Sequence, residues 1–223
     1  MERQLTLDLS FRPALGRDDF LVADSNSQAV ALIDQWPQWP SYGAIITGPP
    51  GSGKSHLAMV WQQKASAAII AARDLKLENL PHLLHSNRLV IEDIDSDKLP
   101  ERALFHALNL ARQQSGHILM TACLLPTIKL SDLASRLHAL PHSLIKSPGD
   151  ALLRGVLVKH FSDRQIAVDE GLVSYMLTRM PRSLEAARRL VAEVDRQSLE
   201  QGAEVTRLFV GRVLSQFENP ELS

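Results

Sequence analysis

Residues 48–55 read Gly48-Pro49-Pro50-Gly51-Ser52-Gly53-Lys54-Ser55 and fit the pattern G-x-x-x-x-G-K-[ST], between a predicted strand and a predicted helix. Glycines let such a loop wind tightly, so that successive N–H groups face a phosphate at the positive end of the helix dipole. We expect Lys54 to neutralise phosphate oxygens and the Ser55 hydroxyl to hold Mg²⁺. An ordinary glycine turn is the competing interpretation, which the flanking elements disfavour. The residues predicted to bind nucleotide here are Pro50, Gly51, Ser52, Gly53, Lys54, Ser55 and His56.

The segment before this loop, residues 42–47, is a short apolar run that ends in glycine and proline. Such a run is typical of a strand buried on both faces of a parallel sheet. Further short apolar runs alternate with helical segments such as residues 100–114, and these runs are residues 67–71, 88–94, 118–122 and 143–145. The alternation predicts an α/β fold with a five-stranded parallel sheet flanked by helices.

After residue 148 the predicted strands cease, and four helical patterns follow at residues 150–161, 169–180, 183–201 and 206–217. We therefore predict three parts: an N-terminal tail (residues 1–18), a nucleotide-binding domain (19–148) and a small all-α domain (149–223). Apolar residues alternate near the start of the chain, at Gln4 to Leu9. This segment is either the first strand of the fold or a free peptide that offers a glutamine and leucines to a partner's pocket.

The overall charge is balanced, with 24 Lys and Arg against 25 Asp and Glu. Nonspecific nucleic-acid binding usually needs an excess of positive charge, so the balance argues against it. Cys123, the single cysteine, forms no internal disulfide and fits a reducing compartment. The apolar stretches fall far short of the roughly 20 residues that span a bilayer, and the N-terminus has no apolar signal core. We expect a cytoplasmic protein without membrane contact.

Leu89-Val90-Ile91-Glu92-Asp93-Ile94-Asp95 is an apolar strand that ends in carboxylates. This is the form of a Walker B element, which binds Mg²⁺ and positions the attacking water, and Glu92 and Asp93 are the candidates. A solvated acidic turn at a strand end is the competing interpretation. Most such elements place aspartate before glutamate, so the reversed order here predicts weak hydrolysis or none. Thr121, at the end of the run 118–122, is either a sensor of the γ-phosphate or a strand-end threonine that faces solvent.

Together these elements resemble the AAA+ domain of the bacterial initiator DnaA, and more closely the short regulatory homologues of DnaA, the Hda proteins. The resemblance covers nearly the whole chain. It implies that Arg136, in Ser135-Arg136-Leu137, enters a neighbouring subunit's nucleotide and acts there in trans. It also implies that Arg182 is a second sensor arginine. A linker strand near the adenine is implied at residues 19–22, which would place Leu21 and Asn26 at the nucleotide.

The pattern Gln-Leu-x-Leu-x-Leu is similar to the peptide with which Hda proteins bind the DNA polymerase sliding clamp, and its partner-binding residues here are Gln4, Leu5, Leu7 and Leu9. Full initiators continue into a helix-turn-helix domain that reads duplex DNA, and this sequence is expected to end about where the helical domain ends. Residues 150–223 carry 10 basic and 11 acidic side chains. We therefore expect no direct sequence-specific DNA binding.

The resemblance implies a negative regulator of replication initiation that binds ADP or ATP with Mg²⁺ and stimulates hydrolysis by DnaA. Its partners would be the DnaA initiator and the sliding clamp, with a homodimer as a candidate assembly. One alternative is an autonomous AAA+ ATPase such as a helicase loader. Another is a binding module in which the nucleotide is structural and Arg136 never reaches a partner.

Overall fold

The computed structural model describes residues 21–218 of the chain. Contacts group the chain into two units that divide in sequence between Lys146 and Ser147. Within the described residues the first unit holds every strand, and the second unit is helical.

The sheet of the first unit is parallel throughout. Its strands are β1 (Gly43–Thr47), β2 (Ala68–Ala71), β3 (Arg88–Glu92), β4 (His117–Ala122) and β5 (His142–Leu144). Their spatial order is β2-β3-β4-β1-β5, so β1 and β4 are neighbours although they are distant in sequence. In the register, Met120 of β4 lies between Ile45 of β1 and Ile91 of β3. The predicted five-stranded parallel sheet is confirmed.

Helices connect these strands, as the parallel arrangement requires. They are α2 (Lys54–Ala65), α3 (Leu80–Leu83), α4 (Glu101–Gln113) and α5 (Ser131–His138), and a further helix, α1 (Ser27–Asp34), precedes β1. The connection between β2 and β3 is short and holds two 3₁₀ turns and the single turn of α3.

The two faces of the sheet carry separate cores because strand side chains alternate in direction. In β3, Leu89 and Ile91 belong to one core and pack with Leu104 of α4. Val90 belongs to the other core, which also contains Leu57 of α2. All five side chains are inaccessible to solvent. Cover on both faces explains why the central strands β1, β3 and β4 are continuous apolar runs rather than alternating ones.

The second unit consists of α6 (Asp150–Asp163), α7 (Glu170–Leu177), α8 (Leu184–Gln201) and α9 (Arg207–Glu218). Three helices have side-chain caps at their N-termini: Asp169 accepts the N–H of Leu172, Ser183 accepts that of Ala186, and Thr206 accepts that of Phe209. No helix in the described part of the chain is long and apolar enough to cross a membrane.

An aromatic cluster closes the edge of the sheet where β3 and β4 begin. Trp39 stacks on Trp61 with ring centres 5.3 Å apart, and the edge of His117 approaches Trp39 at 5.7 Å. The guanidinium of Arg88 lies over the ring of Trp36. Burial, and secondarily the charge of Arg88, lowers the pKa of His117. The imidazole is therefore held neutral inside the cluster.

We expect the stability of the first unit to fall as the solution is acidified below about pH 6.5, the usual pKa of histidine. The unfolded chain protonates His117 more readily than the folded chain does. Its stabilising contribution is complete above the unfolded pKa and is lost as the pH falls through the lower folded pKa. Tryptophan fluorescence in urea measures this, because all three tryptophans lie in this unit.

The variant His117→Gln serves as the comparison in this experiment. It should lose less stability than the natural chain between about pH 7.5 and pH 5.5. If the variant and the natural chain lose the same stability, the acid sensitivity belongs to another group, such as His142, whose pKa is also lowered by burial.

Candidate functional site

The glycine-rich loop lies between β1 and α2, at the carboxyl edge of the sheet. Its backbone passes through the left-handed region at Gly51 (φ 69°) and at Gly53 (φ 100°). Gly48 meets a different constraint, because a Cβ atom built on it would lie 2.4 Å from the carbonyl oxygen of Ile145. The loop therefore packs directly against the chain that leaves β5, and only glycine fits at position 48.

Lys54 places a positive charge inside this loop. Its side chain is only 7% exposed, and Nζ donates to the carbonyl oxygens of Gly48 at 2.8 Å and Pro49 at 3.0 Å. No carboxylate of the described residues forms an ion pair with it. A buried charge usually has an opposite charge in contact with it, and the described residues place none in contact with this ammonium. An anionic group would complete the site.

Two further polar atoms at this edge are buried without a hydrogen-bond partner. They are Oγ of Ser52 in the loop and Oε1 of Glu92 at the end of β3. Native structures satisfy most buried polar atoms, and the exceptions often mark a site for a ligand, an ion or water. The orphaned hydroxyl and the close approach at Gly48 fit a cradle for phosphate oxygens.

The ends of β3 and β4 are tied together beside the loop. The N–H of Asp93 donates to Oγ1 of Thr121 at 3.3 Å, and the N–H of Cys123 donates to Asp95 at 2.8 Å. Asp93 has a left-handed backbone (φ 57°), which aspartate tolerates better than most residues. Thr121 is fully buried, so the alternative of a solvent-facing threonine is wrong. A role as γ-phosphate sensor stays a prediction.

Asp95 and Cys123 were not among the predicted site residues. Cys123 lies 3.9 Å from the ammonium of Lys54. Burial raises the pKa of its thiol, Lys54 opposes this shift, and Asp95 adds to it. The thiol is therefore held neutral next to the buried lysine. The sequence held a signal for both residues, because Cys123 directly follows β4 and Asp95 lies three residues after β3, and the carboxyl ends of both strands meet the loop.

The predicted oxygen ligands for Mg²⁺ are Ser55, Glu92 and Asp93. Ser55 is exposed in the first turn of α2 together with His56, and Asp93 is also exposed. No group of three or more His, Cys, Asp or Glu within residues 21–218 is arranged to hold a metal by itself. A hydroxyl and carboxylates are nevertheless the donors that Mg²⁺ takes when phosphates supply the remaining ligands.

The linker strand expected at residues 19–22 is absent at Leu21 and Val22, where the chain is irregular. The cause is Asn26, whose amide accepts the N–H of Ala23 at 2.8 Å and donates to the carbonyl of Leu21 at 2.9 Å. These bonds close a turn in place of a strand ladder. Both Leu21 and Asn26 are buried, and Asn26 fixes this backbone. Contact of Leu21 and Asn26 with a nucleotide stays a prediction.

The segment before α1 and the segment after β5 are neighbours. The N–H of Lys146, which follows β5, donates to the carbonyl of Ser25 at 2.9 Å. This bond pins the segment before α1 to the segment after the last strand.

Arg136 lies in α5, and its guanidinium stacks on the ring of Phe105 at 4.9 Å. The carboxylate of Glu101, one helical turn from Phe105 in α4, accepts the N–H groups of Lys129 and Leu130 at 3.0 and 2.8 Å. Residues 129 and 130 lead directly into α5. Helix α4 therefore positions both the helix and the guanidinium, and Arg136 has no ion-pair partner among the residues described.

Arg182 belongs to the second unit and precedes Ser183, the N-cap of α8. Its guanidinium forms an exposed ion pair with Asp150 at 2.6 Å. Both residues line a cavity of about 470 Å³ in this unit, together with Arg154, Ser174, Leu177, Thr178 and Met180. The predicted partner-binding residues Gln4, Leu5, Leu7 and Leu9 lie outside the described residues.

No protein-family model matches this sequence, and no curated protein matches it. Domain III of the Thermotoga maritima replication initiation protein DnaA aligns with a TM-score of 0.72 and 17% identity, over 91% of this chain and 96% of that chain. A replication initiator DnaA bound to AMPPCP and single-stranded DNA aligns with a TM-score of 0.61 and 16% sequence identity, over 82% of this chain and 66% of that chain. The Thermotoga maritima RuvB Holliday junction branch migration motor aligns with a TM-score of 0.66 and 16% sequence identity, over 87% of this chain and 69% of that chain.

This chain thus spans about two thirds of the length of the longer DnaA and RuvB chains. Identities of this size show a shared fold and nothing finer. The parallel five-stranded sheet, its flanking helices and the helical C-terminal part therefore form a DnaA-like AAA+ fold.

Proposed function

We propose that this chain is a replication-related AAA+ protein that binds ADP or ATP with Mg²⁺ at residues 48–55. The observation that carries the proposal is the ammonium of Lys54, buried against the carbonyls of Gly48 and Pro49 without a carboxylate partner. A nucleotide phosphate supplies the missing negative charge. The DnaA structure bound to AMPPCP supports an adenine nucleotide as the ligand.

Within the site, each group has a distinct task. The N–H groups of the loop and the N-terminus of α2 hold phosphate oxygens, while Lys54 turns from the loop carbonyls toward them. Ser55, Glu92 and Asp93 would hold Mg²⁺, which supplies charge neutralisation at the phosphates when it is bound. Thr121 holds the backbone at Asp93 and so sets where that carboxylate lies.

Hydrolysis by the chain alone is proposed to be weak or absent. Glu92 precedes Asp93, the reverse of the usual order, so each carboxylate is displaced by about one methylene group. One oxygen of Glu92 is also buried without a donor. This arrangement supports nucleotide binding better than it supports the alignment of an attacking water.

We further propose an Hda-like role, in which Arg136 enters the nucleotide site of the DnaA initiator and promotes hydrolysis there. Two features support this role. The guanidinium is held on Phe105 with no carboxylate of the described residues to neutralise it. Its helix is anchored by Glu101, so a cation is presented in a fixed position, as an arginine acting in trans requires.

The remaining parts of the role concern partners. The peptide with Gln4, Leu5, Leu7 and Leu9 would hold the protein on the DNA polymerase sliding clamp, and the protein would act in the cytoplasm. We propose no direct sequence-specific DNA contact, because the helical residues 150–223 carry 10 basic against 11 acidic side chains.

The nucleotide site can be tested with two glycines. Gly48→Ala should lower the affinity for fluorescently labelled ADP at least about tenfold, because the new methyl group displaces the loop from the Ile145 carbonyl. Gly149→Ala is the matched control, since a Cβ there meets nothing within 4 Å. Lys54→Ala tests the charge if Gly48→Ala fails to fold. Unchanged affinity in a folded Lys54→Ala variant contradicts the site.

The role of Arg136 can be tested by hydrolysis of ATP by DnaA in the presence of clamp and DNA. Replacement by alanine should reduce the stimulated rate about a thousandfold, the usual size of an arginine acting in trans. The variant's own affinity for ADP should not change. Arg112→Ala, an exposed arginine of the neighbouring helix α4, is the control. Full stimulation by Arg136→Ala would favour the binding-module alternative.

The clamp peptide can be tested by retention on immobilised clamp. Replacing Gln4, Leu5 and Leu7 with alanine should abolish retention, because those side chains fill the partner's pocket and groove. Thr6→Ala with Asp8→Ala changes the intervening positions and should retain binding. If both variants are retained equally, residues 4–9 have no role at the clamp.

A further inference from the structure

Tyr175 of the helical unit is flanked by two arginines from different elements. The guanidinium carbon of Arg179, just after α7, lies 4.1 Å from the ring centre. That of Arg207, the first residue of α9, lies 4.5 Å from the same centre. Two like charges are therefore held within about 9 Å of each other by the attraction of each cation for one aromatic ring.

The ring that organises this pair is itself fixed in place. Tyr175 is partly buried and packs on the core of the helical unit. Its hydroxyl lies against the backbone of α9 so closely that a Cβ atom on Gly211 would be 2.8 Å from the oxygen. Gly211 is one turn from Arg207, so the same helix holds the ring and supplies one of the cations. The stack is a preformed surface.

The charge of this surface is not neutralised within the described residues. Neither Arg179 nor Arg207 forms an ion pair there, and Arg179 donates only to the Thr178 hydroxyl, at 3.0 Å. Arg207 stands in the first turn of α9, where no acidic residue offsets the positive end of the helix dipole. By contrast, Arg188 and Arg196 of α8 both pair with glutamates. Arg212 of α9 also forms no ion pair within the described residues, but its guanidinium lies over the ring of Phe209 and not over Tyr175.

The surface also has an apolar component. Leu208, the residue after Arg207, is 85% exposed, more than any other exposed large apolar side chain of the described residues. Nucleic-acid surfaces need several cations spread along a backbone, whereas this helical region is close to neutral overall. Two arginines around a tyrosine beside an exposed leucine have the composition of a protein-binding surface, where tyrosine and arginine are enriched.

We propose that the surface formed by Tyr175, Arg179, Arg207 and Leu208 docks a segment of another protein that carries carboxylates next to an apolar side chain. Each carboxylate can accept two parallel hydrogen bonds from the planar guanidinium group of one arginine. The apolar side chain covers Leu208. This inference is independent of the nucleotide site and of the clamp peptide.

The test uses fluorescence anisotropy of a labelled peptide that alternates glutamate and leucine, without nucleotide. The chain should bind it at least about tenfold more tightly than a glutamine-leucine peptide, and added salt should weaken the binding. The double variant Arg179→Glu, Arg207→Glu should lose about tenfold or more in affinity. Labelled oligothymidylate is measured in parallel as the nucleic-acid alternative.

The control variant is Lys64→Glu with Arg112→Glu, which makes the same change in net charge at exposed sites of the first unit. It should stay within about twofold of the natural chain. Tyr175→Leu keeps both arginines but removes the aromatic ring between them, so it should weaken peptide binding. Tyr175→Phe keeps the ring and should bind the peptide as the natural chain does. Circular dichroism confirms that each variant is folded.

Four outcomes overturn the proposal. The first is an equal loss of peptide affinity in the control variant, and the second is no peptide binding at millimolar concentration. The third is that oligothymidylate binds more tightly than the peptide and that the arginine variant abolishes this binding. The fourth is self-association of the chain that the arginine variant abolishes. The last two results would assign the surface to nucleic acid or to a second copy.

Discussion

An ammonium group withdrawn from water constrains the rest of the first unit. Removing such a charge from solvent costs several kcal/mol unless polar groups surround it. Here the loop carbonyls of Gly48 and Pro49 partly offset that cost, which requires the loop to curl around Lys54. The curl requires glycine at position 48, because the carbonyl of Ile145 occupies the space of a side chain. Burial of the Lys54 ammonium therefore depends on three segments together, which are the loop, the start of α2 and the chain after β5.

The neighbouring strands complete the site through contacts that depend on their register. Because β3 and β4 are adjacent and parallel, their carboxyl ends emerge together beside the loop. Thr121 and Asp95 then bond across the gap, each to the backbone of the other strand's exit. Strand pairing thus determines where Glu92 and Asp93 lie. The buried hydroxyl of Thr121 holds the backbone N–H of Asp93 in place.

Much of this arrangement was predictable from the sequence, for a physical reason. Strands covered on both faces are continuous apolar runs, so the sheet could be predicted. A glycine-rich stretch between a strand and a helix is a local pattern, so the position of the loop that holds Lys54 and Ser55 could also be predicted. Contacts that depend on tertiary pairing were not predictable, as with the bond between Asp95 and Cys123. At Leu21 a strand was expected, but the side chain of Asn26 takes the backbone bonds that a strand would have used. The stack around Tyr175 needs α7 and α9 to pack together, which no local pattern specifies.

The hydrogen bond between Lys146 and Ser25 also has a practical consequence for protein engineering. Because this bond joins the segment before α1 to the segment after β5, the two ends of residues 25–146 are neighbours in space. Such a module can be spliced into an exposed turn of an unrelated host protein without stretching the host backbone. Residues 25–146 thus have the geometry of a transplantable insert.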